Sequence, residues 1–224
     1  MTHQLTLHAI EPVTHDTHHL IFDKPKGLSF TPGQAVDLAL DRDGWREAKR
    51  PFTFTSLPSE DQLHFVIKSY PDHDGVTEQI GQMRAGDTVL VDDPWGAIED
   101  KGDGVFIAGG AGVTPFIAIL RQKLRDKGTL KGNTLVFSNK SEKDIILRDH
   151  FEAMAGLCCI WTVTDEPDST LARGQIDAQM LKDVVDPSRD VCYICGPDPM
   201  VEEMPRVLDG LGVPEGRIVT EEFD

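Results

Sequence analysis

The chain has 224 residues, 39% of them hydrophobic, and its 22 Lys and Arg stand against 38 Asp and Glu, a formal net charge of −16. That length suits two domains of ordinary size, and no run approaches the roughly 20 apolar residues of a membrane helix. So acidic a chain repels nucleic acid and anionic membranes within a Debye length of about 8 Å, so neither is expected as a partner. The opening Met1-Thr2-His3-Gln4 has neither the basic nor the apolar region of a secretory leader, which makes the cytoplasm the expected location.

Residues 1–99 read as short strands. Val36, Leu38 and Leu40 alternate with Asp37 and Ala39, and Leu63, Phe65 and Ile67 alternate with His64, Val66 and Lys68. Thr88-Val89-Leu90-Val91 is a further strand, and Pro32-Gly33, Asp43-Gly44 and Ala85-Gly86-Asp87 mark turns. This pattern predicts an antiparallel barrel with one helix near Gly75–Met83. His15, His18 and His19 fall in an expected surface turn between the first two strands, where solvated histidines are commoner than ligands.

Asp100-Lys101-Gly102-Asp103 reads as a joint, and beyond it the texture changes. Val105–Ala108, Leu135–Phe137, Ile160–Val163 and Val191–Cys195 are apolar throughout, as parallel strands between helices should be. Phe116, Ile119, Leu120 and Leu124 form one helical stripe; Met200, Met204, Val207, Leu208 and Leu211 form another. A doubly wound α/β half follows. Cys192-x-x-Cys195 and the adjacent Cys158-Cys159 lie on strands, where residues three apart or next to each other diverge, so neither a disulfide nor a metal site is expected.

Four segments carry chemistry. On a strand, Arg50 and Phe52 share a face and Thr53 takes the other; Arg offers a fork for phosphate and an aromatic ring can stack on a flat heterocycle. The same tetrapeptide also suits an exposed Arg beside a core Phe. Gly75-Val76-Thr77 opens a helix, either as an anion site or as an ordinary cap with Thr77 as capping residue. In Gly109-Gly110-Ala111-Gly112-Val113-Thr114-Pro115 a fully apolar strand runs through glycines into a helix, a design for close approach of a pyrophosphate that nonetheless departs from G-x-G-x-x-G. A tight strand–helix turn would use the same residues. Cys195-Gly196-Pro197-Asp198-Pro199-Met200 ends the last long strand, at the edge where open α/β sheets bind ligands.

Taken in this order, the segments resemble the ferredoxin–NADP reductase superfamily in its stand-alone flavoprotein form. Arg50, Phe52 and Thr53 are similar to its Arg-x-Tyr-Ser/Thr motif, with Phe for Tyr; Gly75, Val76 and Thr77 are similar to its Gly-x-x-Ser/Thr element, one residue shorter. Gly110, Gly112, Thr114 and Pro115 match the nicotinamide loop, Cys195-Gly196-Pro197 the Cys-Gly-Pro motif, and Glu221-Glu222-Phe223 a Glu-x-aromatic ending that Asp224 extends.

The resemblance implies a flavin-binding β-barrel over residues 1–99 and a doubly wound, parallel-sheet nicotinamide-nucleotide domain over 104–224. It implies FAD rather than FMN, held by Arg50, Pro51, Phe52, Thr53, Ile67, Lys68, Gly75, Val76 and Thr77, with Phe223 over the ring. Nicotinamide contacts would come from Gly110, Gly112, Val113, Thr114, Pro115, Cys195, Gly196, Pro197 and Met200, and the catalytic group would be Thr53, Cys195 and Glu221. The implied activity passes hydride from NAD(P)H to FAD and single electrons to a separate ferredoxin, flavodoxin, oxygenase component or small molecule. Two alternatives stay open: a flavin- or nucleotide-sensing subunit without turnover, and a ferric or free-flavin reductase. Asp165-Glu166, after Thr162-Val163-Thr164, opposes a 2′-phosphate and favours NADH, against Lys140 and Arg173 nearby. Arg42, Arg46, Lys49 and Lys68 are candidates for a basic landing patch.

Overall fold

The computed structural model describes residues 1–70, 74–96 and 98–220. Contacts divide the chain into two compact units, Met1–Glu99 and Asp100–Asp224.

In the first unit the strands are β1 (His3–Pro12), β2 (Thr17–Asp23), β3 (Ala35–Leu40), β4 (Arg50–Thr53), β5 (Gln62–Lys68) and β6 (Thr88–Val91), with helix α1 (Val76–Gly81) before β6. They form one antiparallel sheet in the order β4-β3-β6-β1-β2-β5. A bridge between Phe54 and Phe65 joins the chain just past β4 to β5, so the sheet's two ends meet and its edges are nearly abolished, the gain a barrel offers. Alternate residues fill the interior: Leu5, Leu7, Leu20, Phe22, Leu63, Phe65, Val89 and Val91 are all buried. Phe54 ties the closure, stacked on Phe30 at 4.1 Å and tilted against Phe65 at 5.2 Å.

Two expectations differ here. Ala39 is as buried as its neighbours Leu38 and Leu40, while Asp37, on the same face, is half-buried, so the alternation does not divide β3 into a buried and an exposed face. Of the three histidines placed in a turn, only His15 lies there; His18 and His19 are in β2. Strand alternation therefore sends the two to opposite faces.

The second unit contains β7 (Gly104–Gly109), β8 (Thr134–Asn139), β9 (Cys158–Val163), β10 (Ala172–Arg173), β11 (Val191–Cys195) and β12 (Ile218–Thr220). All pair in parallel, in the order β10-β9-β8-β7-β11-β12. Helices α2 (Thr114–Lys127), α3 (Arg148–Glu152), α4 (Ala178–Leu181) and α5 (Asp198–Gly210) connect them. On one face, Phe116 of α2 packs edge-on to Phe106, which stacks on Tyr193 at 4.4 Å. On the other, Met204 and Leu208 of α5 join Val105, Ile107, Cys192 and Ile194. Side chains of alternate parity on β7 and β11 thus serve helices on opposite faces, which defines a doubly wound sheet.

Asp100–Asp103, read as a joint, is anchored to this second unit. Lys123 is buried in α2, and its ammonium donates to Asp100 and to the Gly102 carbonyl at 2.8 Å and lies 3.0 Å from Asp103. The Tyr193 hydroxyl accepts from the Lys101 N–H and donates to the Gly102 carbonyl at 2.9 Å. Polar side chains on two core elements grip the segment. The residue pattern of a linker does not reveal such distant partners.

Candidate functional site

Parallel strands end their C-termini at one edge, and here that edge collects the sequence-marked residues of the second unit. From β7 the connections run to β8, β9 and β10 on one side, while β11 and β12 lie on the other. The switch point between β7 and β11 is where open α/β sheets open a ligand crevice. The two turns that flank it are the glycine turn after β7 and the Cys-Gly-Pro turn after β11.

Those turns touch, and glycine makes the contact possible. A Cβ on Gly112 would lie 2.4 Å from the Cys195 carbonyl oxygen, one on Gly109 2.8 Å from Pro197 Cδ, and one on Gly196 2.7 Å from Met200 Sδ. Real Cβ atoms do not approach so closely, so these glycines are demanded by the fold. Gly110 differs: its φ is +51°, in the left-handed region, and nothing lies within 4 Å of where its Cβ would be. Close packing lies on one side of the turn and open space on the other, a cradle for a group approaching the backbone. A 3₁₀ turn over Gly110–Val113 leads into α2, and the Thr114 hydroxyl donates to the Ala111 carbonyl at 3.0 Å. Pro115 occupies the first turn, where a missing N–H costs nothing.

Cys195 is buried at the end of β11 and Pro197 is exposed. Met200 places its thioether between Gly109 and Gly196, so its first task is to fill the gap between the turns. Val113 and Pro115 are buried, leaving only backbone to offer a ligand. Asp165 is exposed just past β9, and its N–H donates to the Lys140 carbonyl at 2.8 Å. Arg173 donates to the Pro167 carbonyl at 2.7 Å. One residue at this edge escaped the sequence reading. Asn139, at the end of β8, is buried, and its side-chain Nδ2 has no partner. A buried donor without an acceptor costs about 1–3 kcal/mol, and its place at the C-terminal edge of the sheet suits a polar ligand.

In the first unit, β4 presents Arg50 exposed, Pro51 and Phe52 half-buried and Thr53 buried. The Arg50 guanidinium donates only to the Lys49 carbonyl, at 2.7 Å, among the described residues. Nearby cations are committed: Arg46 to Asp41 and Asp43, Lys49 to Asp92, Lys68 to Asp16 at 2.8 Å. Burial pushes the Asp16 carboxyl up, and hydrogen bonds from Lys68 and Thr14 override it, leaving the group below its ordinary value. A guanidinium without a carboxylate, in a chain this acidic, is a donor set suited to a phosphate. Of the four cations expected to form a basic landing patch, Arg46, Lys49 and Lys68 are ion-paired with aspartates, and Arg42 donates to Gln79 at 3.0 Å.

Gly75 is the N-cap of α1, with no side-chain cap bond, and the Thr77 carbonyl accepts from the Ser69 hydroxyl at 3.1 Å. Thr77 is thus the second helical residue and not the cap, so its hydroxyl is not consumed by capping. Ile67 and Val76 are core residues and can offer only backbone. Glu221 and Phe223 lie outside the described residues.

All four cysteines are free thiols. Burial pushes the Cys192 thiol up to about 12, with Asp190 adding to the effect; such a group is an inert core residue.

A near-closed antiparallel barrel followed by a doubly wound sheet with a glycine turn at its switch point defines a flavin- and nicotinamide-dependent oxidoreductase fold. Comparison with known proteins agrees. Residues 4–99 match the oxidoreductase FAD-binding domain and residues 106–205 the oxidoreductase NAD-binding domain. NADH-cytochrome b5 reductase 1 of Aspergillus terreus is 30% identical over 211 residues, 86% of this chain and 71% of the relative. The ferredoxin reductase component of 3-ketosteroid-9-alpha-monooxygenase from Rhodococcus rhodochrous is 27% identical, covering 98% of this chain and 64% of its own length. The CS-b5R domains of human Ncb5or, solved in the NAD+ form, superpose with a TM-score of 0.86 at 27% identity, over 98% of this chain and 69% of that one. The chain belongs to the family of oxidoreductases with FAD-binding and NAD-binding domains that includes the NADH-cytochrome b5 reductases. No helix among the described residues is long and apolar enough to cross a membrane.

Proposed function

We propose that this chain oxidises NADH and delivers the electrons, through FAD, one at a time to a separate acceptor. The observation that carries the reading is the meeting of the Gly109–Val113 turn with the Cys195–Met200 turn across the β7–β11 switch point, packed on one side and open at Gly110. When bound, FAD supplies the conversion of a two-electron donor into one-electron deliveries.

The chain's own residues bind, orient and exclude water. Arg50 holds a flavin phosphate through its exposed guanidinium, which donates to the Lys49 carbonyl and to no carboxylate among the described residues. Phe52 offers a half-buried ring face, and Thr53 a buried hydroxyl. The Gly110 backbone and the first turn of α2 take the nucleotide's pyrophosphate, with the helix N-terminus supplying partial positive charge. Cys195 supplies a small, polarisable wall at the nicotinamide pocket without competing for the hydride. Alignment and water exclusion of this kind contribute several kcal/mol to such transfers.

For nucleotide choice, Asp165 is exposed at the ribose edge and repels a 2′-phosphate, while Arg173 is turned to the Pro167 carbonyl. Both favour NADH. The relatives act with different partners by name, a cytochrome b5 and an oxygenase system, so the acceptor here is proposed only as a separate redox protein or small molecule. The test is an anaerobic titration of the flavin-loaded protein with NADH and then NADPH, followed by the flavin's visible absorbance. Cytochrome b5, ferredoxin, flavodoxin and a ferric chelate are then offered. NADH should bleach the colour at lower concentration than NADPH, and an acceptor should restore it. Protein that takes up no flavin, or holds flavin that neither nucleotide bleaches, defeats the reading.

A further inference from the structure

The histidines that stand together in the sequence separate in the fold, and one of them acquires a distant neighbour. His18 faces inward, its Cε1 3.5 Å from where a Cβ on Gly81 would sit. His19 faces outward on β2. The register pairs Ile21 with His64 and His19 with Val66, which makes His19 and His64 diagonal neighbours on one face of the β2–β5 pair. The opposite face is core: Leu20, Phe22, Leu63 and Phe65 are fully buried. The two rings meet edge to face, with centroids 4.9 Å apart, and Nε2 of His19 lies 3.1 Å from Nδ1 of His64.

We propose that His19 and His64 form a two-imidazole site for a borderline-soft divalent ion such as Zn²⁺, Cu²⁺ or Ni²⁺. Imidazole nitrogens bind such ions at about 2.0–2.1 Å. Two ligands on one ion at tetrahedral or square-planar angles then lie roughly 2.9–3.4 Å apart, and the spacing here already falls in that interval. In the metal-free pair one nitrogen must donate a proton to the other. On binding, the ion takes that proton's place and the proton moves to an outer ring nitrogen of the same histidine.

A second observation orients His19 as a ligand. Glu11 of β1 is paired directly with His19, and its carboxylate is 3.6 Å from His19 Nδ1. A carboxylate behind an imidazole favours the tautomer with Nδ1–H and so leaves the Nε2 lone pair for an ion, the usual support of a metal-binding histidine. The His19 side chain is 26% exposed, so water can complete the coordination. Imidazole donors select zinc, copper and nickel over magnesium or calcium, which prefer oxygen. The three residues sit on three adjacent strands of the barrel, so an ion there would clamp β2 to β5.

The test uses full-length, flavin-loaded protein freed of metal by chelation and titrated calorimetrically with ZnCl₂, and separately with CuCl₂ under electron paramagnetic resonance. Wild type should bind one ion per chain, and the Cu²⁺ spectrum should carry nitrogen hyperfine structure. His19→Gln and His64→Gln should each weaken binding at least tenfold, Glu11→Gln should weaken it less, and His150→Gln, on α3 of the second unit, should leave it unchanged. Zn²⁺ should raise the melting temperature of wild type and not of the double variant. Equal affinity in wild type and the His19→Gln/His64→Gln double variant would overturn the site, as would a Cu²⁺ spectrum the double variant reproduces. The flavin spectrum of each variant reports folding independently of the metal.

Discussion

Arg50 and Asp165 are exposed side chains whose proposed roles rest on charge, and each makes a direct prediction. An Arg–phosphate hydrogen bond contributes about 1.5–3 kcal/mol, so Arg50→Gln should weaken FAD binding by roughly ten- to a hundredfold. Flavin content after dialysis, with added FAD restoring the spectrum, is the measurement. Retention of full flavin would show that another group carries the phosphate. Asp165→Asn removes a like charge from the 2′-phosphate's neighbourhood. The ratio of kcat/KM for NADPH to that for NADH should rise about tenfold, the equivalent of about 1.4 kcal/mol, with little change in flavin content. The Arg50 motif was legible in the sequence because strand parity alone puts Arg50 and Phe52 on one face. Asn139 was not legible: an unpartnered amide is a property of its surroundings, and no pattern in the chain announces it.

At the level of elements, the contact between the two turns depends on hydrogen in place of Cβ. Gly112→Ala drives a methyl into the Cys195 carbonyl, rigid backbone that cannot rotate away. The strain should cost about 1–3 kcal/mol and push the turn after β11 off its position. Melting temperature should fall, and KM for NADH should rise more than FAD binding changes. Gly110→Ala meets open space and carries only the left-handed backbone penalty of about 1–2 kcal/mol, so it should be the milder of the two. Lys123 offers a second element-scale test. Burial pushes the Asp103 carboxyl up, but hydrogen bonds from Lys127, Lys123 and Asn133 prevail and hold it well below its ordinary 3.8. A carboxylate depressed on folding stabilises above its unfolded pKa, and that stability is lost as pH falls below 3.8 toward the folded value. Lys123→Met leaves Asp100 and Asp103 without their buried partner. It should lower the melting temperature at neutral pH, and the gap from wild type should narrow as pH drops below about 4. A gap independent of pH would assign the loss to packing alone. The alternation of strands and helices was readable from apolar runs and stripes, because buried parallel strands and amphipathic helices have different periods. The anchoring of Asp100–Asp103 was not, since its partners, Lys123 and Tyr193, lie far along the chain and only the folded α2 and β11 bring them near.

For the whole molecule, the net charge of −16 constrains the acceptor. Composition alone left room for a local basic landing patch, because sequence shows where cations fall but not which carboxylates they face. Folding pairs three of them: Arg46, Lys49 and Lys68 are each held within 2.8 Å of an aspartate, which reduces the positive field there to Arg42, on Gln79, and Arg50. A long-range field of the chain's own sign slows the approach of an acidic redox protein and is relieved by salt. Raising ionic strength from about 0.01 M to about 0.1 M shortens the Debye length from roughly 30 Å to 10 Å. With NADH saturating, kcat/KM for an acidic ferredoxin or flavodoxin should therefore rise severalfold over that range. A neutral ferric chelate should change little, and a basic acceptor should slow. The comparison is made by stopped-flow with the same enzyme preparation, so that flavin content and nucleotide oxidation are common to all three. A rate for the acidic protein that falls with salt would mean that it docks on an attractive patch elsewhere on the surface, and that the paired cations near Arg50 do not describe the face that meets it.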